Sequence, residues 1–244
     1  MKNSSLKIIA LFLFLNGSFL SAQEISGTAY YKVKTVIKDI KFQNNIDKDF
    51  KERIQKKYAE GVEEEFILDF TDNESVYKPK TIYENQMERK AGEIYTKNPE
   101  QYKLYRNVAA KQVLFESKLL GKYVVVKDSI INWDWKLENG TMKIGDYECK
   151  KATREYEPHQ HKEDIGKDGK ESKPHVVTVW YAPEISVSHG PGVYYGLQGL
   201  ILQVEDGNRT VKLTKLKRNK KPKEIKKPAN GKVITKKDFN EISS

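Results

Sequence analysis

The chain of 244 residues has one cysteine, Cys149, so no disulfide can form within it. Apolar burial and strand pairing must therefore supply the stability. Long hydrophobic runs are also scarce. The longest, residues 8–15, falls far short of the roughly 20 residues that cross a bilayer. No G-x-S-x-G elbow, H-E-x-x-H pair or phosphate-binding loop occurs, and no repeat of solenoid or propeller period is visible. The carboxylates Glu63, Glu64 and Glu65 adjoin at the start of a strand and point to alternate faces, which suits solvation better than acid–base chemistry. The chain thus reads as non-catalytic, with no cofactor motif.

The short apolar run follows Lys2 and Lys7 and precedes the small residues Ser21 and Ala22, the layout of a secretory signal over residues 1–22. An exported protein is expected, in the periplasm, at the cell envelope or outside the cell, with no membrane-spanning segment once the signal is removed. Free cysteines are mostly small buried hydrophobes, and Cys149 alternates with polar neighbours as in a strand.

The net charge of +10 is uneven. Residues 212–244 hold 12 Lys or Arg against Glu224, Asp238 and Glu241, a balance of +9, and the signal adds +2, which leaves the body at −1. Export and a single tail aromatic, Phe239, argue against nucleic acid. Weak attraction of the tail to anionic envelope surfaces is the electrostatic expectation, beside a plain solvated terminus.

Alternation in GTAYYKVKTVIK, residues 27–38, puts Ala29, Tyr31, Val33, Thr35 and Ile37 on one strand face. Phe50, Ile54 and Tyr58 at steps of four predict a short amphipathic helix near residues 47–60, capped by Asp47 and stopped by Gly61. Short aromatic and β-branched runs follow at 66–70, 75–77, 93–96, 102–105, 112–116, 123–126 and 133–137, which predicts an antiparallel meander. Asn139-Gly140 reads as a two-residue hairpin turn joining 133–138 to 141–148, and Asp206-Gly207-Asn208 as a second turn joining 200–205 to 210–216. Residues 157–173 are charged and read as an inserted loop. The stretch 218–231 reads as extended, and Thr235 to Asp238 has capping-box spacing for a terminal helical turn. The fold expected is a mainly β (α+β) single domain over 23–217, a highly curved, half-barrel-like antiparallel sheet, followed by a basic tail over 218–244.

Residues 179–208, VWYAPEISVSHGPGVYYGLQGLILQVEDGN, resemble the signature of the GLPGLI family. Gly196-Leu197-Gln198-Gly199-Leu200-Ile201 stands where the family spells Gly-Leu-Pro-Gly-Leu-Ile, with Gln198 in place of proline. Trp180, Tyr181, Pro183 and the pair Gly190-Pro191 are similar to the lead-in, and residues 149–153 to its preceding strand. The resemblance implies an exported accessory protein of uncharacterised role, kept alongside TonB-dependent outer-membrane transport, so an outer-membrane transport component is an expected partner. Read from the residues alone, Gly196 and Gly199 allow positive φ or close approach before Leu200 enters the core, and Leu197, Leu200 and Leu202 should be buried. The same crossover could instead line the mouth of a groove for an apolar ligand. Trp133, Trp135, Trp180 and Tyr181 are the candidate stacking aromatics. His159 and His161, with His175, are the candidate ligands of a weak transition-metal site.

Overall fold

The computed structural model describes residues 25–38, 40, 42, 46–80, 103–156 and 174–243. The expected signal over 1–22, the strand at 93–96 and the loop 157–173 lie outside them. The elements in chain order are β1 (Gly27–Thr35), α1 (Lys48–Glu60), β2 (Val62–Phe70), β3 (Glu74–Pro79), β4 (Leu104–Asn107), β5 (Gln112–Leu119) and β6 (Lys122–Ser129). There follow β7 (Lys136–Ile144), β8 (Tyr147–Tyr156), β9 (His175–Ala182), β10 (Leu200–Asp206), β11 (Arg209–Arg218), β12 (Lys232–Thr235) and α2 (Lys236–Ser243). The protein is mostly β, as its alternation and turn spacing predict.

These strands form one 12-stranded sheet in the order β12-β6-β5-β4-β3-β2-β1-β11-β10-β9-β8-β7. Every pair is antiparallel except β12 with β6. The connection from β6 to β7 dictates the shape. Laid flat, ten inter-strand steps separate these strands, about 48 Å at ~4.8 Å per step. Ser129 and Lys136 are seven residues apart, a reach of only about 25 Å. The sheet must therefore curl until its ends approach each other.

Inside the curl lies the main core, with Ala29, Tyr31 and Val33 of β1 against Phe66, Leu68, Val177, Val179, Leu202 and Val204. Cys149 is fully buried, as its alternation suggests. A smaller core of Val76, Tyr105, Leu114, Val125 and Ile225 is separate from it. Adjacent residues Val76 and Tyr77 belong to different cores, so the two cores lie on opposite faces of β3.

The local signals hold at both helices. Asp47 accepts a hydrogen bond from Phe50 N–H at 2.9 Å to start α1, and Gly61, with φ +99°, ends it. Ile37 N–H donates to the Tyr58 carbonyl at 2.9 Å, which ties α1 to the chain that leads into it. Thr235 and Asp238 close a reciprocal capping box, with Asp238 N–H to Thr235 Oγ1 at 3.1 Å and Thr235 N–H to Asp238 Oδ2 at 3.3 Å.

Two expectations need correction. Asn139-Gly140 is not the hairpin turn: β7 runs straight through it and turns at Gly145-Asp146, where Ile144 pairs with Tyr147 and Gly145 takes φ +58°. Asn139 and Gly140 form an irregularity in β7 between the pairs Glu138–Lys151 and Thr141–Lys150. A Cβ on Gly140 would meet Lys151 Cβ at 3.2 Å and the Trp180 ring at 3.4 Å, so this glycine serves close packing. The stretch 133–137 is not a strand throughout either, since β7 begins at Lys136 and Asp134 takes φ +46°. The turn at Gly207-Asn208 is as expected, with Asp206 paired to Arg209.

The C-terminal segment does more than trail. Asn219 N–H bonds the Ser26 carbonyl at 2.8 Å, Lys223 bonds Asp69 at 2.7 Å, and Ile225 and Pro228 are buried. It crosses from β11 past β1 to β5 and joins the sheet edge as β12, a strand its charge density concealed.

Candidate functional site

The crossover between β9 and β10, residues 183–199, packs against the main core. It is knitted locally: Ile185 N–H to the Ala182 carbonyl at 3.1 Å, Leu200 N–H to Ile185 at 3.0 Å, and Ile201 N–H to His189 at 3.0 Å. Ser188 Oγ donates to the Leu197 carbonyl at 3.1 Å. Ile185, Val187, Tyr194, Tyr195, Leu197, Leu200, Ile201 and Leu202 are buried, and so are Gly190, Pro191 and Gly199. Gly196 has φ +96° and Gly199 φ +155°, and a Cβ on Gly199 would lie 2.5 Å from the Ala182 carbonyl oxygen. The signature thus forms the locked corner that its glycines and aliphatics predict. Of the crossover, only Glu184, Ser186, Val193, Gly196 and Gln198 face solvent.

Groups from distant elements pin this loop. Trp133 Nε1 donates to the Val193 carbonyl at 2.9 Å, and Trp135 Nε1 to the Tyr195 carbonyl at 2.7 Å. Their indoles stack with centroids 5.0 Å apart and planes 8° from parallel. Tyr195 Oη returns a bond to the Ile131 carbonyl, and Tyr31 Oη donates to Ile201 at 2.7 Å. The short β6–β7 linker that closes the curl is therefore also the clamp on the crossover.

Arg106, buried on β4, donates from Nη2 to the Gly192 carbonyl at 2.7 Å. Burial pulls its pKa down to about 10, which the Tyr195 ring partly offsets, and it stays charged at neutral pH. Beside it His189 is wholly buried, facing the Thr71 and Asp72 backbone without a hydrogen bond of normal geometry to either ring nitrogen. Burial, reinforced by the Arg106 cation, pushes its pKa down to about 3, so the imidazole is neutral. Burial raises the Cys149 thiol to about 11, so it carries no thiolate at neutral pH.

The four candidate stacking aromatics divide. Trp133 and Tyr181 are buried, Tyr181 against Gly199, while Trp135 and Trp180 are half-buried. Of the candidate metal ligands, His159 and His161 lie outside the described residues. His175 is hydrogen-bonded to Asp206, which also accepts from Tyr194 Oη. Among the described residues no three His, Cys, Asp or Glu side chains gather as a metal site. Arg106, Tyr194 and Tyr195 escaped the sequence reading. Their only local trace is the alternation of β4, which points Arg106 to the face opposite Tyr105.

Exposed aliphatics lie at the clamp: Ile131 (59% exposed), whose carbonyl accepts from Tyr195, Val193 (38%), whose carbonyl accepts from Trp133, and Leu137 (64%), two residues after Trp135. Leu137 of β7 pairs with fully buried Ala152 of β8, so it lies on the core-facing side of the sheet at its open edge. Among the described residues no helix is long and apolar enough to cross a membrane.

Residues 135–203 match the model of an uncharacterised family described as "Protein of unknown function (Porph_ging)". That span holds β7 to β9, the crossover and the start of β10. No curated protein matches the chain. Among solved structures it is similar to PNGF-II in a C2 crystal form, with TM-score 0.54 and 15% identity over 89% of this chain. PNGF-II in a P21 form gives TM-score 0.50 and 16% identity over 89%. The chain spans about a third of PNGF-II, 32% and 33% of the two chains, and at this identity the likeness concerns the fold alone.

Proposed function

We propose that this is a non-catalytic, exported binding or accessory protein of the cell envelope, of the GLPGLI type, whose partner surface is the rim of Ile131, Trp135, Leu137 and Val193. The observation that carries this reading is the division of labour in the crossover. Its inner side is consumed by packing, while Val193 on its outer side and Ile131 and Leu137 of the linker and edge strand that clamp it stay exposed, the composition of an interaction site. The silenced state of the reactive groups supports it: the His189 imidazole is held neutral and the Cys149 thiol protonated. The likeness to a third of PNGF-II fits a fold that serves as a module. The lysine-containing N-terminal segment motivates export, and the family resemblance motivates an outer-membrane transport component as partner.

Gentle purification from the envelope followed by native mass spectrometry tests this reading. A stoichiometric transport component, or a bound apolar ligand, released by Leu137→Asp supports it. A chain that emerges bare and monomeric under these conditions argues against it.

A further inference from the structure

We propose that a second site, a cleft of about 310 Å3 beside Tyr30 and remote in sequence from the signature, binds a saccharide carrying an anionic group, a carboxylate or a phosphate. Tyr30, Glu65, Lys80, Thr214, Lys215 and Lys217 line it. A β-bulge shapes it. Tyr30 pairs with Lys215 and Tyr31 with Leu213, so Thr214 is the extra residue, and its hydroxyl bonds the Tyr30 carbonyl at 3.1 Å. Bulges twist a strand locally and re-aim its side chains.

Charge on this face is unequally spent. The β2 carboxylates on the Tyr30 face are each paired: Glu63 with Lys32 at 2.8 Å, Glu65 with Lys80 at 2.6 Å, and Asp69 with Lys223 at 2.7 Å and Lys78 at 3.4 Å. Lys215 and Lys217 have no carboxylate partner among the described residues, so the cleft keeps uncompensated positive charge. The Lys217 ammonium lies 5.7 Å from the Tyr30 ring centroid. A cation and an aromatic ring are thus set next to each other. A pyranose presents an apolar C–H face that covers an aromatic ring, while its hydroxyls suit Thr214 and its anionic substituent the two ammonium groups. The volume lies at the lower end for ligand pockets and suits one or two sugar rings, with no long apolar wall for an acyl chain.

The test is calorimetric titration of the full chain, at low and at physiological salt, with trigalacturonate, glucose 1-phosphate, neutral maltotriose and inorganic phosphate. Wild type is compared with Lys215→Gln/Lys217→Gln and with Tyr30→Leu, each checked for native circular dichroism. Saturable binding of either charged sugar is expected, the tighter one naming the anionic group. It should weaken about tenfold or more in each variant and with added salt. Silence towards both charged sugars overturns the proposal. So does maltotriose or inorganic phosphate binding as tightly as its charged-sugar counterpart, or affinity unchanged in the lysine variant.

Discussion

The Arg106 guanidinium lies over the Tyr195 ring, 4.0 Å from its centroid, and the two residues come from strand β4 and from the crossover. With its bond to Gly192, this contact is how the far half of the sheet grips the signature loop. A desolvated cation–π contact contributes about 2 kcal/mol and a charged hydrogen bond about 1.5–3 kcal/mol, against the cost of burying the charge. Arg106→Lys keeps that cost but loses the planar stack, so it should destabilise by about 1–3 kcal/mol, and more than Arg106→Met, which removes the charge at similar volume. Urea denaturation of both variants checks the order.

Gly199→Val places a branched side chain at φ +155° with its Cβ 2.5 Å from the Ala182 carbonyl oxygen. A loss of about 2 kcal/mol or more is expected from such strain. Gln198→Ala, one residue away and exposed, should change stability by less than about 0.5 kcal/mol. Thermal melts of the pair separate corner from surface.

His189 gives the fold a pH dependence of definite sign. Its folded pKa of about 3 lies below the ordinary histidine value, so the unfolded chain binds a proton as pH falls below about 6.5 while the folded chain does not. Stability should fall by up to about 1.4 kcal/mol per pH unit in that range and stay flat above it as far as this group is concerned. Burial would raise Asp69, but hydrogen bonds from Lys223 and Thr28 outweigh it and lower its pKa, so its contribution is lost only at carboxylate pH. Between pH 6.5 and 4.5 His189 therefore contributes a slope of this sign. Denaturation at pH 7, 6 and 5 should show a slope that His189→Leu removes.

A Cβ on Gly231 would lie 2.0 Å from the Tyr123 carbonyl oxygen, at φ +105°. Gly231→Val should therefore unseat β12 from β6. Hydrogen exchange should quicken over residues 232–243 while the main core, which β12 does not enter, keeps its protection.

How legible each part was follows from the range of the forces involved. The Asp47 cap, the Thr235–Asp238 box, the Gly207-Asn208 turn and the alternation of β1 depend on neighbours within a few residues, and all are written locally. Asn139-Gly140 carries the strongest local hairpin signal in the chain, yet Lys151 of the paired strand and Trp180, 40 residues on, fill the space beside Gly140, and the turn falls at Gly145. The two tryptophans look like a strand face until the carbonyls of Val193 and Tyr195 are seen to accept from their indoles. Burial of the signature leucines was readable from three consecutive aliphatics. The Arg106 clamp was not, because an arginine in a strand gives no sign of which loop will cover it. Nor could the Tyr30 cleft be read, since its bulge is a register slip between strands about 180 residues apart.

A partner surface at the rim of the crossover is open to site-specific photo-crosslinking in the intact envelope. A photoreactive residue at Leu137 (64% exposed) is compared with one at Leu120 (86% exposed), in the β5–β6 turn. One discrete adduct with the proposed outer-membrane transport component is expected at Leu137 and none at Leu120. Equal labelling at the two positions, or no adduct at Leu137, contradicts it.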